Sequence, residues 1–339
     1  MQPLNPVFIV GCPRSGNTLL GCLLNKHPES FILFEKKLFS GLRRKWRAKQ
    51  FEDASAKIQC FLQEANAFIR QKEIDLGVSF EEFEAQHEGS PAKFGGLLDS
   101  YMQILIRRFK PSATIWGDKS PQHTAYLAPI HRTYPQARFL FIYRDPRHVV
   151  NSLSKKSFPH ASNDPLICAE VARRYFRTYE EQKSKVPHGC ILEVQYEELV
   201  RNPESELLRI CEFLGIEYTE RLLEPADEQT RQLFGWPNSK AWGRVVPQSS
   251  STRPDGAGHV EAYLAEWVET FGYSHQGRED DLVKKLFSQV YLAPFKASTL
   301  LLGVFYKLKY KKDDKYLPQE WPKISKVKKW ILRGEKTNA

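Results

Sequence analysis

No two of the six cysteines form a CxxC pair, and no His/Cys cluster has the spacing of zinc ligands. That excludes the common zinc and dithiol sites. Cys12, Cys22, Cys60, Cys168, Cys190 and Cys211 lie mostly in apolar segments, where reduced core thiols are expected. The chain also lacks an Asn-x-Ser/Thr acceptor, an internal repeat and any long apolar run. The longest, Thr299 to Tyr306, is far too short to cross a bilayer. A first strand at Val7 leaves no room for a secretory leader ahead of it, so a soluble, cytoplasmic protein of a reducing compartment is expected. Acidic residues are the minority among the charges, 40 against 50 Lys+Arg. A basic balance suits an anionic ligand, whether nucleotide, nucleic acid, membrane surface or acidic substrate. The lysine-rich tail supplies much of that excess.

One more absence is specific. The segment GCPRSGNTLL, residues 11–20, follows the apolar run Val7 to Val10 and has the spacing of a phosphate-binding loop. Gly11 and Gly16 stand five apart, and Thr18 follows two later. The position after the second glycine normally holds lysine, and here it is Asn17. The loop's cation, Arg14, stands three positions earlier. A glycine loop between strand and helix turns backbone N–H groups toward an anion, and the helix dipole adds to the attraction. An ATPase or kinase also needs Mg²⁺, held partly by an acidic residue ending another strand. The strongest strand pattern, RFLFIYRDPR, ends instead in Arg144 before Asp145. A cation there suits a second phosphate. Both departures argue against ATP hydrolysis and for a nucleotide with two separate phosphate groups, bound without metal.

The strand–helix rhythm implies an α/β chain with a P-loop-like doubly wound parallel sheet flanked by helices. Strands are expected at Val7–Gly11, Thr114–Trp116, Arg138–Tyr143 and Cys190–Val194. Helices are expected up to Lys26, from about Pro121, from Pro146, over 165–184, over Pro203–Leu214, and at about 259–270 and 280–292. Residues 36–112 carry no strand signal. Ile58, Phe61, Leu62, Ala65, Phe68 and Ile69 share one helical face, as do Phe94, Leu97, Leu98, Tyr101, Met102, Leu105 and Ile106. Between them Ser79 and Glu82 form a capping box. This is read as a helical insertion. Residues 227–258 read as loop. The domain is expected to span 1–292, with 293–339 a basic, aromatic extension.

PRSGNTLL resembles the 5′-phosphosulfate loop of sulfotransferases that use 3′-phosphoadenosine 5′-phosphosulfate (PAPS). FLFIYRDPRHVVNSLSK resembles their 3′-phosphate segment, in which the arginine and a serine eight positions on bind the 3′-phosphate; here these are Arg144 and Ser152. The likeness continues through ILEVQYEELVRNPESELLRICEFLGI and covers most of residues 5–270. It is nearest to the branch of tyrosylprotein and many bacterial sulfotransferases. The resemblance implies PAPS as co-substrate, adenosine 3′,5′-bisphosphate as product, no metal requirement, and a hydroxyl-bearing acceptor. It implies a cofactor site of Arg14, Ser15, Gly16, Asn17, Thr18, Arg144, Ser152 and Tyr196. It also implies a catalytic set of Glu35, after the His-Pro pair of NKHPESFILFEKK, with Lys119 in GDKSPQH, Arg14, and Ser251, for which neighbouring Ser250 is an alternative. Asn17 stands where the family usually has threonine; its amide can still contact phosphate. Arg14 and Lys119 would together replace the missing lysine.

Glu35 is expected as general base, since a positioned, partly buried carboxylate can take the acceptor's proton. His123, four residues after Lys119, is the rival, because cytosolic sulfotransferases use a histidine near the corresponding lysine. Arg147 and the Arg43-Arg44-Lys45 run read as solvated charges. Trp46, Trp116 and Trp236 read as core, with an acceptor pocket as the alternative. A kinase-like nucleotide phosphotransferase and a polyanion or membrane binder are the competing functions, and no nucleic-acid partner is expected. The tail segment TLLLGVFYKLKYKK joins an apolar stretch to a cationic one, as peripheral membrane segments do. The acceptor's class and the oligomeric state are not legible.

Overall fold

The structure, a computed structural model, describes residues 5–47, 53–69, 77–87, 92–155, 164–234, 239–243, 257–274, 288–290 and 292–293. They fall into two compact units. The first draws on segments 5–11, 16–142 and 181–243, and the second on 12–15, 143–180 and 257–293.

The first unit is built on a sheet of five strands: β1 (Asn5–Val10), β2 (Ser30–Phe34), β3 (Ile115–Lys119), β4 (Arg138–Tyr143) and β5 (Ile191–Gln195). Their order is β2-β3-β1-β4-β5, and the β1–β3, β1–β4 and β2–β3 pairs are parallel. Strands covered on both faces read as unbroken apolar runs. Val7, Phe8, Ile9 and Val10 of β1 and Phe139 to Ile142 of β4 are all fully buried. The middle of β3 must be glycine. A Cβ on Gly117 would lie 2.2 Å from Val7 O and 2.6 Å from Ile32 Cδ1. Phe8 anchors the core beside Trp116 and Phe139, each at 6.0 Å between ring centroids. β2 was not foreseen. SFILF is short, and its four-residue apolar run, Phe31 to Phe34, soon after a helix end has no periodicity to mark it as a strand.

Helix α1 (Asn17–Lys26) follows β1. Between β2 and β3 come a π-helical turn (Leu38–Leu42) and helices α2 (Arg43–Arg47), α3 (Ala54–Ile69), α4 (Phe80–His87) and α5 (Phe94–Phe109). This is the expected insertion. The capping box forms, with Glu82 N–H donating to Ser79 Oγ at 3.2 Å. All seven residues of the second predicted face are buried, and on α3 Phe61, Leu62, Ala65 and Ile69 are. Phe61 joins the helices, 5.8 Å from Phe83 and 6.0 Å from Phe94. Trp46 and Trp116 are both core residues, and Trp236 lies outside the described residues. A 3₁₀ turn (Pro121–Tyr126) and α6 (Leu127–Thr133) lead to β4.

Asp99 on α5 is a point of tension in this core. Burial pushes its carboxyl up to about 7, against a smaller opposing pull from the Trp116 indole. The folded state therefore keeps a proton that the unfolded chain, with an ordinary aspartate near 3.9, has lost. Stability must fall as pH rises from about 4 to about 7, with the full cost present above that window. Asp99→Asn is expected to raise the melting temperature by several degrees at pH 8 and to change it little at pH 4; equal shifts at both would overturn this.

The second unit contains α7 (Pro146–Ser154), most of α8 (Pro165–Lys183) and, after the first unit's α9 (Tyr196–Arg201), α10 (Pro203–Leu214) and α11 (Glu228–Phe234), the helix α12 (Ala257–Thr270). Its core packs Val149, Val150 and Leu153 with Cys168, Ala172 and Phe176 and with Val260, Leu264 and Trp267. Asp145 caps α7 by accepting from Arg147 N–H at 2.9 Å, with Pro146 at the tolerated first position. Arg147 corrects an expectation. It is not solvated but 3% exposed. It donates to both oxygens of Asp145, to Glu261 Oε1 at 3.0 Å and to Ser274 O at 3.1 Å. The region 227–258 is not all loop either. α11 starts from an aspartate cap, with Thr230 N–H donating to Asp227 Oδ1 at 2.6 Å. Much of the predicted helix at 280–292 lies outside the described residues.

Candidate active site

Ligands of open α/β sheets gather at the carboxyl ends of strands. In this chain each strand's carboxyl end carries a candidate residue. The glycine loop follows β1 and Glu35 follows β2. Lys119 closes β3, Arg144 follows β4, and Tyr196 follows β5.

In the first unit the centre is Lys119, whose side chain is fully buried. Burial lowers its pKa, and Glu35 opposes the shift. Its Nζ lies 2.9 Å from Glu35 Oε1 and 3.4 Å from Thr18 Oγ1. The Phe34 ring stands 5.1 Å from the same nitrogen, and Phe34 is itself stacked on Trp242 at 5.8 Å. A desolvated cation held this way is worth more to an incoming anion than one in water. The phosphate loop closes on α1 with Gly16 at φ 105°. A Cβ there would meet the Tyr196 ring at 2.5 Å and Ile142 Cδ1 at 3.0 Å. Only glycine combines that backbone with that contact, so Tyr196 is packed against the loop. Asn17 is 4% exposed and faces inward at the start of α1.

Glu35 begins a sharp corner. Its φ is 54° and that of Lys37 is 49°, left-handed values that cost a non-glycine residue about 1–3 kcal/mol. The corner is held from the segment 118–123. Glu35 N–H donates to Lys119 O at 2.8 Å and Leu38 N–H to Asp118 Oδ2 at 2.8 Å. Lys37 N–H donates to Ser120 Oγ at 3.2 Å and Ser40 N–H to His123 Nε2 at 3.3 Å. Accepting at Nε2 puts the proton of a neutral His123 on Nδ1. Burial lowers the pKa of this ring, and its Nδ1 is 3.8 Å from Asp118.

In the second unit, Arg14 has φ 75°. Its Nε donates to Ser152 Oγ at 2.9 Å. Burial and the neighbouring Arg144 both lower its pKa. An arginine on a serine hydroxyl with a second arginine as its electrostatic neighbour suits an anion. Ser15 Oγ is fully buried with no hydrogen-bond partner, a hydroxyl suited to a bound oxyanion. Among the described residues the non-glycine residues at positive φ are Arg14, Glu35 and Lys37. Strain of this kind clusters at functional sites.

The family model of the sulfotransferase family matches residues 6–220. The chain belongs to the sulfotransferase family. Protein-tyrosine sulfotransferase 2 of Gallus gallus is 23% identical over 321 residues, which cover 88% of this chain and 78% of that one. Omega-hydroxy-beta-dihydromenaquinone-9 sulfotransferase Stf3 of Mycobacterium bovis is 26% identical over 62% of this chain and 63% of its own. Among solved structures, the sulfotransferase domain of the Synechococcus PCC 7002 olefin synthase has a TM-score of 0.49 and 21% identity. It covers 81% of this chain and 97% of that one.

Within this sulfotransferase the structure brings Glu35, Lys119 and Thr18 together, packs Tyr196 on Gly16, and groups Arg14, Arg144 and Ser152. Arg14, read from sequence as a partner of the 5′-phosphosulfate, has its guanidinium on the serine assigned to the 3′-phosphate. The Glu35 side chain is 43% exposed and paired with Lys119. Ser250 and Ser251 lie outside the described residues. Sequence reasoning missed Asp118 and Ser120. The signal available was an aspartate beside a lysine at the end of an otherwise apolar, fully buried strand. Asp118 is also an acidic residue at a strand end, but both of its oxygens already accept hydrogen bonds, from Leu38 N–H and Ser120 Oγ–H. No group of three or more His, Cys, Asp or Glu with metal-binding arrangement occurs among the described residues.

Proposed function

We propose that this sulfotransferase moves a sulfuryl group from PAPS to a hydroxyl acceptor and releases adenosine 3′,5′-bisphosphate. The observation that carries the reading is the fully buried Lys119 held at a strand end against Glu35 and Thr18. The unpartnered Ser15 hydroxyl and the Arg14–Arg144–Ser152 group fit a donor with phosphates at both ends. Arg144 and Ser152, with Arg14, take the 3′-phosphate. The loop residues Ser15 to Thr18 take the 5′-phosphosulfate, and Tyr196 borders the nucleotide. The acceptor oxygen bonds to sulfur as the bond from sulfur to the bridging phosphate oxygen breaks. Glu35 receives the acceptor's proton, and Lys119 offsets the charge gathering on the leaving oxygen. His123 is unsuited to the base role, because it is fully buried and its Nε2 is occupied by Ser40 N–H. A protein tyrosine and omega-hydroxy-beta-dihydromenaquinone-9, which appear in the names of two relatives, mark the range of acceptors to test.

The reading requires adenosine 3′,5′-bisphosphate to raise the melting temperature in EDTA, where ATP does not. Stabilisation by ATP only with Mg²⁺ would support the kinase-like alternative and sink this one. Arg144→Ala is expected to weaken adenosine 3′,5′-bisphosphate tenfold or more, since a charged hydrogen bond is worth about 1.5–3 kcal/mol. Adenosine 5′-phosphate should change far less. Equal weakening of both in calorimetry would overturn the 3′ assignment.

A further inference from the structure

Asp118 is a fully buried carboxylate, and burying such a charge costs several kcal/mol unless it is well satisfied. Its hydrogen bonds all serve one object. Oδ2 accepts from Leu38 N–H at 2.8 Å. Oδ1 accepts from Ser120 Oγ–H at 2.7 Å. Ser120 Oγ, oriented by that bond, in turn accepts from Lys37 N–H at 3.2 Å. Two of the corner's backbone N–H groups, at Lys37 and Leu38, therefore depend on one side chain about 80 residues away in sequence. That corner contains the two left-handed residues Glu35 and Lys37. Left to local preference, neither would adopt such a backbone, because the strained region is populated only when surrounding contacts over-determine it. His123 adds a neighbouring tie through Ser40 N–H at 3.3 Å, and Lys119 O fixes Glu35 N–H at 2.8 Å.

We propose that Asp118 is a positioning residue for sulfuryl transfer: with Ser120 it holds the Glu35–Leu38 corner in its left-handed conformation and so aims the Glu35 carboxylate. The proposal rests on Glu35 being the general base. Asp118 does not touch the acceptor. It acts through the backbone on which Glu35 sits, and a shift of about 1 Å at a catalytic group costs on the order of 10²-fold.

The experiment is a double-mutant cycle on the full chain. Sulfuryl transfer from labelled PAPS is measured to a panel of phenols, a tyrosine peptide and a primary alcohol. Asp118→Ala is expected to lower kcat by about 10²-fold while leaving the affinity for adenosine 3′,5′-bisphosphate unchanged. Asp118→Asn retains a carbonyl for Leu38 N–H and should recover most of the loss. In a Glu35→Gln background Asp118→Ala should cost little more, because residues acting through one another are not additive. Losses that multiply across the cycle would reduce Asp118 to a general structural role and leave Glu35 as base. If Glu35→Gln alone is harmless, or no acceptor is sulfated by the wild type, the underlying reading falls and this inference with it. Should Asp118→Ala fail to fold, Ser120→Ala replaces it in the same cycle: it removes the acceptor of Lys37 N–H without exposing a charge imbalance. The same criterion, loss in the native background and none beside Glu35→Gln, then decides.

Discussion

Glu35→Gln is expected to lower turnover by roughly 10²–10⁴, the usual contribution of a positioned base, while the affinity for adenosine 3′,5′-bisphosphate stays near that of the wild type. Glutamine keeps an oxygen within reach of Lys119 Nζ, which now sits 2.9 Å from Glu35 Oε1, so the buried lysine keeps a hydrogen-bond acceptor. What is lost is the capacity to take a proton. Acceptor acidity separates this from loss of the lysine itself. A more acidic phenol needs less proton abstraction, so it should partly rescue Glu35→Gln. It should do little for Lys119→Ala, which removes charge stabilisation at the leaving oxygen. The measurement is transfer from labelled PAPS across a phenol series. Near-normal turnover of Glu35→Gln, together with an inactive His123→Ala of normal nucleotide affinity, would move the base to His123.

The second large effect concerns stability. Arg147→Met is expected to cost about 3–5 kcal/mol, because it breaks a buried ion-pair network by removing the guanidinium that bonds both Asp145 and Glu261. Each is 6% exposed. Burial alone would push the Arg147 pKa down, but the bonds to Asp145 and Glu261 carry it above its ordinary value. Urea unfolding of wild type and variant near pH 7 checks this. A loss below about 1 kcal/mol at pH 7, the range of exposed ion pairs, would show that the carboxylates find other partners or water.

The parts of the fold legible in the sequence were those with a local cause. The expected strand at Arg138–Tyr143 and helix at Pro203–Leu214 coincide with β4 and α10. The first is a run of apolar residues ended by a charge, and the second is opened by proline and closed by Gly215 at φ 71°. β3 was read three residues short, since its last two positions are Asp118 and Lys119 and charged residues argue against a buried strand. Their charges make sense only once His123, Glu35 and the corner backbone are beside them. Arg147 was misread for a related reason. Its second carboxylate, Glu261, lies 114 residues away, and no local spacing rule joins them. Of the candidate site, Glu35, Lys119, Arg144 and Ser152 could be proposed from the resemblance of their motifs. The left-handed backbone at Arg14 and Glu35 could not, because nothing in a glutamate or arginine codon position advertises positive φ.

The ties at the corner also bear on how this chain could change over time. The helical insertion leaves the sheet after β2 and returns at β3, two strands that lie side by side with Ser30 paired to Ile115 and Phe34 to Lys119. Its departure is fastened to residues 118–123. Its return is fastened as well, by Lys110 Nζ on Asn25 O at 2.7 Å, Ser112 Oγ on Pro28 O at 2.8 Å and Thr114 N–H on Glu29 O at 2.9 Å. A loop whose two ends are already clamped pays only a slowly growing entropy for extra length. Extra residues in the connections between its helices should therefore cost little while the strands and the corner beneath them keep their places.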